Sequence, residues 1–211
     1  MIGGLIGKKI GMSQIFTPEG KVIPVTVIQA GPCVITQLKS IEKDGYIATQ
    51  LGFIEKVSPK RITKGMKGHL DKAGSPTVRK LIELPAIDAD KLKIGDKITA
   101  ADIFTADEIV HIIGTSKGKG FQGVVKRHHF GGGPDTHGSK THRTPGSIGA
   151  SSYPSRVYKG QRMGGRMGGE RVTMKNIKII SIDKENNLVV VKGSVPGHNG
   201  SYLILYKKMR G

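Results

Sequence analysis

The segment from His128 to Glu170 most constrains the fold of this chain, because it contains very little that a core could bury. It reads HHFGGGPDTHGSKTHRTPGSIGASSYPSRVYKGQRMGGRMGGE, and glycine and basic residues fill most of it. Burial of so few apolar side chains cannot offset the conformational entropy lost when such a segment becomes ordered. We therefore expect the segment to depend on a binding partner for its order.

The segment belongs to a longer basic region, residues 117–171, which strand-like sequence flanks on both sides. This region contains eleven lysines and arginines, four of the seven histidines and 14 of the 31 glycines, against only Asp135 and Glu170 as acids. It therefore carries +9 of the formal net charge of +18 of the 211-residue chain. An excess of this size predicts a polyanionic partner, with nucleic acid as the first candidate and an anionic membrane surface as the second.

Residues 1–116 and 172–211 read as short strands separated by turns. Asp44-Gly45 predicts a hairpin turn between two of them, Pro24 predicts an edge position or a bulge, and a basic stretch at about 58–75 predicts one short helix. The strand-like runs are KVIPVTVIQ, CVITQLKSI, YIATQLGFI, TVRKLIELPAI, IVHIIG, NIKIISID, NLVVVKGSV and SYLILYKK. Many short strands with few helices predict a mainly β fold, a closed barrel or a sandwich, from which 117–171 extends as an inserted arm.

The arm has the residue types that RNA binding requires. Lysine and arginine neutralise phosphates, glycine allows close backbone approach, and tyrosine, phenylalanine and histidine stack on unpaired bases. The predicted phosphate contacts are Lys117, Lys119, Lys126, Arg127, Lys140, Arg143, Arg156, Lys159, Arg162, Arg166 and Arg171. The predicted RNA-facing histidines are His128, His129 and His142, and the predicted stacking residues include Phe121, Phe130, Tyr153 and Tyr158. Lys8 and Lys9, near the start, are interpreted either as surface charges at a strand end or as further RNA contacts.

Other chemistries fit the sequence less well. GKGFQG (118–123) matches a dinucleotide-binding pattern, but neither a full helix nor an acidic residue about 20 positions on follows it. The arm's histidines lack the spacing of a metal site, no serine lies in a nucleophile elbow, and the single cysteine, Cys33, cannot form an internal disulfide. We expect no cofactor, no metal and no membrane span, and we interpret the chain as a cytoplasmic protein that is not a homo-oligomer.

Two alternatives to an RNA-binding structural protein stay open at this point. A nucleic-acid-processing enzyme with a basic channel would need clustered acids for metal or proton transfer, and the arm's two acids are far apart in sequence. A membrane-surface protein would need an amphipathic helix, which the glycine-broken arm does not offer.

Several long motifs resemble those of one known family. GKKIGMSQIFTPEGKVIPVTVI at the start, KGKGFQGVVKRHHFGGGPDTHGSKTHRTPGSIG in the middle, and MGGRMGGERVT and VPGHNGSYLIL near the end are similar to bacterial large-subunit ribosomal protein three. The similarity extends over essentially the whole chain. It implies a β-barrel of the type found in translation proteins and a long loop that runs into ribosomal RNA.

The resemblance implies further details of function. Members of the family bind large-subunit (23S) rRNA directly near its 3′ domain, early in assembly, beside large-subunit proteins fourteen and nineteen. The tip of their arm approaches the peptidyl-transferase centre. On that pattern the tip here is Thr144, Pro145, Gly146, Ser147, Ile148, Gly149, Ala150, Ser151, Ser152 and Tyr153. Many bacterial members have a glutamine, in some cases methylated, where this chain has Ala150, so that modification cannot occur here.

Overall fold

The computed structural model describes residues 3–55, 62–85 and 92–207. The strands are β1 (Gly4–Phe16), β2 (Val22–Ala30), β3 (Cys33–Lys39), β4 (Ala48–Ile54), β5 (Val78–Leu84), β6 (Lys97–Ile98), β7 (Ile109–Thr115), β8 (Gly120–Gln122), β9 (Gly165–Met167), β10 (Arg171–Asp183), β11 (Leu188–Lys192) and β12 (Tyr202–Lys207). The helices are α1 (Ile41–Asp44), α2 (Lys64–Lys72), α3 (Ala100–Ile103) and α4 (Val124–His128). The predicted mainly β class is confirmed.

The chain divides into two compact units. The first, here called the barrel unit, consists of the residues up to Thr115 together with those from Arg171 onward. The second, here called the arm unit, is Ser116–Glu170. Strands β8 and β9 and helix α4 lie in the arm unit, and the remaining strands and helices lie in the barrel unit.

Six strands of the barrel unit close on themselves in the order β1–β12–β7–β10–β11–β2, with every neighbouring pair antiparallel. Alternation along the strands explains the closure. In β12, Leu203 and Leu205 are fully buried, whereas Tyr202 and Ile204 are only partly buried. Inward-facing residues of this kind form one core, and each fully buried aliphatic side chain contributes about 1.5–3 kcal/mol relative to exposure. Closure also removes the unpaired strand edges of an open sheet.

A second antiparallel sheet of the barrel unit has the order β5–β4–β3–β6. The pairing of β3 with β4 confirms the predicted hairpin, although helix α1 connects the strands and Gly45 ends that helix with φ 81°. Pro24 lies where the β2–β11 ladder ends at Val25, as expected for a residue without an N–H. Helix α2 lies within the stretch predicted to be partly helical, and residues 58–61 of that stretch lie outside the described residues.

Strand β1 extends beyond any strand pattern noted in the sequence, and it corrects the interpretation of Lys9. Lys9 is only 6% exposed, and its Nζ donates to the carbonyl oxygens of Val195 at 3.0 Å and Gly197 at 3.2 Å. Lys8 pairs with Glu55 at 2.5 Å. Both lysines lie in the middle of a 13-residue strand rather than at its end, and the carbonyl oxygens compensate the burial of the Lys9 ammonium.

Candidate nucleic-acid interface

Backbone hydrogen bonds close the base of the arm unit. Strands β8 and β9 pair antiparallel over their full lengths. Next to them, Ser116 N donates to the carbonyl oxygen of Glu170 at 2.9 Å, and Gly169 N donates to that of Ser116 at 3.2 Å. Gly168 permits this close approach, because a Cβ at that position would lie 2.1 Å from the carbonyl oxygen of Lys117. The two ends of the arm unit are therefore held side by side with little side-chain packing.

Helix α4 places two of the predicted RNA contacts against the returning half of the arm unit. Arg127 Nη1 donates to the carbonyl oxygen of Met163 at 2.9 Å, and His128 Nε2 lies 3.0 Å from the same oxygen. The helix ends at His129, whose φ of 61° is left-handed. Arg127 and His128 thus have a structural role in addition to any role in binding.

A cleft of about 460 Å³ lies at the base of the arm unit. Its lining includes Lys117, Lys119, Arg127, His128 and Glu170. Three permanent positive charges face a single carboxylate, so the cleft attracts anions. The planar guanidinium of Arg127 and the two ammonium groups are the types of donor that hold a phosphate.

The middle of the arm unit folds back on itself through glycine. Gly133 N donates to the carbonyl oxygen of His142 at 3.1 Å, and a Cβ on Gly133 would lie 2.1 Å from the carbonyl oxygen of Thr141. The His142 ring is held by its neighbours, since Nδ1 lies 2.9 Å from the carbonyl oxygen of Pro134 and 3.7 Å from Asp135 Oδ1. The two segments of this fold-back therefore lie at backbone contact distance, which any larger residue at Gly133 would prevent.

Aromatic rings are exposed along the arm unit. The ten predicted tip residues are exposed throughout, and Tyr153 is 85% exposed. Phe121 is 78% exposed and Tyr158 57% exposed. The guanidinium of Arg156 lies 5.6 Å from the centre of the Tyr158 ring, an arrangement that orients both groups. Exposed rings next to cations are suited to stacking on unpaired bases.

The positive charges of the arm unit are not neutralised inside the protein. Ten of the eleven predicted phosphate contacts lie in this unit, and among the described residues none of these ten forms an ion pair with a carboxylate. Nine of them are exposed and Arg127 is partly buried. The eleventh, Arg171, begins β10 and belongs to the barrel unit, where its backbone lies opposite Thr115 in the β10–β7 ladder.

Sequence reasoning did not identify the residues that hold Arg127 and the base of the arm unit in place. Met163 contributes only its carbonyl oxygen, and Ser116 contributes its backbone and its hydroxyl, which accepts a hydrogen bond from Glu170 N at 3.3 Å. Neither residue type carries a sequence signal for such a role. Contacts made by backbone atoms depend on the path of the chain, which local sequence patterns do not specify.

Other kinds of site find little support in the described parts of the chain. Within residues 3–55, 62–85 and 92–207, no three histidine, cysteine, aspartate or glutamate side chains are grouped closely enough to hold a metal ion. Cys33 is fully buried, and burial raises the pKa of its thiol to about 12, so the thiol is protonated and unreactive at neutral pH. Over the same ranges, no helix has the length and apolar character needed to cross a membrane.

Comparison with known proteins places these features in a family. The model of the family "Ribosomal protein L3" matches residues 85–189. A large ribosomal subunit protein uL3 from Solibacter usitatus is 51% identical over 211 residues, which is 100% of each chain. Proteins of the same name from Herpetosiphon aurantiacus and a Synechococcus strain are 52% and 54% identical, over 97% and 95% of this chain and 96% and 91% of theirs.

Proposed function

Because the chain belongs to the ribosomal protein L3 family, we propose that it binds large-subunit rRNA directly and that the arm unit is its main contact. Membership makes the protein a structural component of the large ribosomal subunit in the bacterial cytoplasm rather than an enzyme. Its direct role is then to bind and position RNA, and the residues that do so are the exposed cations and rings of the arm.

The observation that carries this proposal is the set of unpaired cations in the arm unit. Ten lysines and arginines lie within Ser116–Glu170, and no described carboxylate pairs with any of them. A folded protein keeps such a concentration of charge only where solvent or a polyanion screens it. Phosphates along an RNA strand provide that screening at short range and release their condensed counterions when they do so.

Binding by the arm has two components. Lysine and arginine contacts to phosphates supply affinity that does not depend on base sequence, and they position the protein. The exposed rings of Phe121, Tyr153 and Tyr158 supply stacking on unpaired bases, worth about 1–3 kcal/mol for each base. RNA bound on several sides of the arm also gives it the order that its own small core cannot provide.

We propose the finer placement on the basis of the family resemblance. The barrel unit docks near the 3′ domain of the large-subunit rRNA early in assembly, beside large-subunit proteins fourteen and nineteen. Residues 117–171 act as a separable arm whose tip, Thr144 to Tyr153, approaches the peptidyl-transferase centre. The continuous exposure of residues 144–153 supports a contact made by the tip. Peptide-bond chemistry is then left to the RNA.

A salt series tests the role of the arm in RNA binding. The full chain is compared with a variant in which a short glycine-serine turn replaces residues 120–168, and binding to a large-subunit rRNA fragment is measured at several salt concentrations. Each phosphate contact contributes roughly −0.7 to −0.9 to the slope of log K against log salt. We expect the variant to lose several units of slope and to unfold cooperatively, since the main core lies in the barrel unit. An unchanged slope would contradict the proposal.

Directed hydroxyl-radical cleavage tests the position of the tip. Because Cys33 is buried, a new cysteine is the only accessible thiol for attaching an iron chelate. Ser151→Cys carries the chelate at the tip, and Lys184→Cys carries it on an exposed turn of the barrel unit as a control. In assembled subunits we expect Ser151→Cys to cleave rRNA around the peptidyl-transferase centre and Lys184→Cys to cleave elsewhere. The same cleavage pattern from both positions would refute the placement of the tip.

A further inference from the structure

The barrel unit has a cleft of its own, separate from the arm unit. It has a volume of about 530 Å³, within the range of about 300–1,000 Å³ typical of ligand pockets. Its walls come from the outer face of the barrel, at β7 and β12, and from β5 of the second sheet. The RNA contacts proposed above do not account for this cleft, because all but one of them lie in the arm unit.

Apolar side chains from three strands line the cleft. Ile113 of β7 and Ile204 of β12 are paired directly across the barrel ladder. Ile82 of β5 contributes from the second sheet, and both Ile82 and Ile204 also pack against the main core. These three isoleucines therefore form a fixed apolar surface. Ile113 is only 9% exposed, and Ile82 and Ile204 are partly buried, so the surface they offer is partly exposed. A partly exposed apolar surface inside a concave site is characteristic of a binding pocket.

Tyr202 adds an aromatic ring whose position is fixed. Its hydroxyl donates to Glu55 Oε2 at 2.5 Å, and its ring lies edge-on to Phe53 with the ring centres 5.9 Å apart. Burial, together with the hydrogen bond to Glu55, raises the pKa of the Tyr202 hydroxyl to about 12, so it stays protonated and bound to that carboxylate. The hydroxyl is thus engaged with Glu55, so an occupant of the cleft would contact the ring of Tyr202.

Two cations and one imidazole, from three separate elements, complete the lining. Lys80 lies on β5, Arg171 begins β10, and His198 lies in the loop before β12. All three are exposed, and among the described residues none of them pairs with a carboxylate. Among the described residues that line the cleft, none carries an acidic side chain. An occupant with a negative charge is therefore favoured.

The loop that carries His198 is anchored from inside the barrel. The buried Lys9 Nζ donates to the carbonyl oxygens of Val195 and Gly197, on the N-terminal side of His198. Ser201 Oγ donates to the carbonyl oxygen of His198 at 2.7 Å. The loop is thus fixed on both sides of His198, so this wall of the cleft is formed before any ligand binds.

We propose that this cleft holds one unpaired nucleotide of RNA, with the base on the apolar surface and the Tyr202 ring, and the phosphate between Lys80 and Arg171. The inference rests on the proposed function, since it requires that the protein binds RNA. A nucleotide combines a flat apolar face with an adjoining anion, and both match the lining. An acidic peptide would match the cations but would leave the aromatic and isoleucine surface without an equivalent partner.

Photo-crosslinking to a single-stranded RNA that contains 4-thiouridine tests the proposal with the full chain. After digestion, mass spectrometry locates the crosslinked peptides. We expect one crosslink on the peptide that contains Tyr202, in addition to crosslinks on the arm peptides that contain Tyr153 and Tyr158. Arm crosslinks without a Tyr202 crosslink would overturn this inference and leave the proposed function standing. The absence of all crosslinks would overturn both.

A pair of charge-matched variants tests the phosphate contact. Lys80→Gln/Arg171→Gln removes the two proposed donors, and Lys175→Gln/Lys192→Gln removes two exposed cations outside the cleft. We expect the first variant to lower the yield of the Tyr202 crosslink about tenfold, as the loss of charged hydrogen bonds implies, and to leave the arm crosslinks unchanged. Equal effects of the two variants would refute the phosphate contact. Loss of only the Tyr202 crosslink when poly-glutamate is added would identify a peptide site instead.

Discussion

Five described lysines of the barrel unit pair with carboxylates, whereas no described lysine of the arm unit does. Lys178 pairs with Asp107 at 2.7 Å, and Lys207 pairs with Glu108 at 2.8 Å. In the arm unit the single contact of this kind among the described residues is between the His142 ring and Asp135, with Nδ1 3.7 Å from Oδ1. The barrel unit thus balances part of its charge internally, while the arm unit leaves its charge available to a partner.

Burial divides the two units in the same way. The main core is formed entirely by residues of the barrel unit, and Val124 is the one buried hydrophobic side chain described in the arm unit. Backbone hydrogen bonds and glycine contacts take the place of a core in the arm. The barrel unit thus has an apolar core of its own, whereas the arm unit is held mainly by backbone contacts and exposes its cations.

Truncation of matched aliphatic side chains gives the largest expected contrast. Leu205→Ala removes a fully buried side chain opposite Leu5 in the barrel, and it should lower the free energy of unfolding by about 2–5 kcal/mol. Ile148→Ala, at an exposed position in the arm unit, should change it by less than about 0.5 kcal/mol. Urea denaturation followed by circular dichroism measures both. Similar losses would show that the arm contributes to the same cooperative unit.

Loss of the buried ammonium of Lys9 gives the second largest expected change in the free energy of unfolding. Lys9→Met keeps most of the side-chain volume but leaves the carbonyl oxygens of Val195 and Gly197 without this donor, which should lower the free energy of unfolding by about 1–3 kcal/mol. Lys8→Met breaks a more exposed pair with Glu55, for which about 0–1 kcal/mol is expected. If Lys8→Met proved the more destabilising of the two in urea denaturation, the assignment of Lys9 as a structural residue would fail.

Acid should weaken the barrel unit through Glu55. Hydrogen bonds from Lys8 and Tyr202 hold the pKa of Glu55 below its ordinary value of 4.5. Because the pKa is lowered on folding, the contribution of Glu55 is fully present above about pH 4.5 and is lost as the pH falls through the lower folded value. Glu55→Gln should therefore differ most from the parent in free energy of unfolding near neutral pH and converge with it in acid. Glu185→Gln, on an exposed turn, is the control and should change the free energy of unfolding by less than about 0.5 kcal/mol.

Single arm cations give the smallest effect. Arg143→Gln should reduce the magnitude of the salt slope for rRNA binding by about 0.7–0.9, one phosphate contact. Lys178→Gln should leave the slope unchanged, because Asp107 already pairs with that lysine. Binding measured over the same salt series tests both variants. An equal change of the salt slope in both variants would show that pairing with a carboxylate does not determine which cations bind RNA.

Sequence reasoning predicts the regular parts of the molecule better than the contacts that join them. The short continuous run of aliphatic and aromatic residues that contains Leu203 and Leu205 is a local signal, and the strand forms there. Strand β1 has no such local signal, because its glycines and lysines carry no strand pattern. Its formation depends on pairing with β12 and β2, which are separate segments of the chain. The burial of Lys9 depends on a loop 186 positions away, which no window along the sequence includes.

The arm shows the same limit at the candidate interface. Its composition alone predicts a basic, glycine-rich RNA-binding segment, since charge and glycine content are properties of the sequence. The contact between Arg127 and Met163 joins residues 36 positions apart through a backbone oxygen, and every residue type has that oxygen. Composition therefore predicts the class of partner, whereas the geometry that presents the cations depends on the folded chain.

The carbonyl oxygen of Met163 contacts two side chains, and this double contact affects how the arm unit can change when it binds RNA. The Met163 oxygen accepts from Arg127 and lies within hydrogen-bond distance of His128, and a carbonyl oxygen has two lone pairs with which to do so. If Arg127 leaves that oxygen for a phosphate, His128 still joins the two halves of the arm. The contact from His128 therefore keeps the two halves of the arm together when Arg127 exchanges the Met163 oxygen for a phosphate.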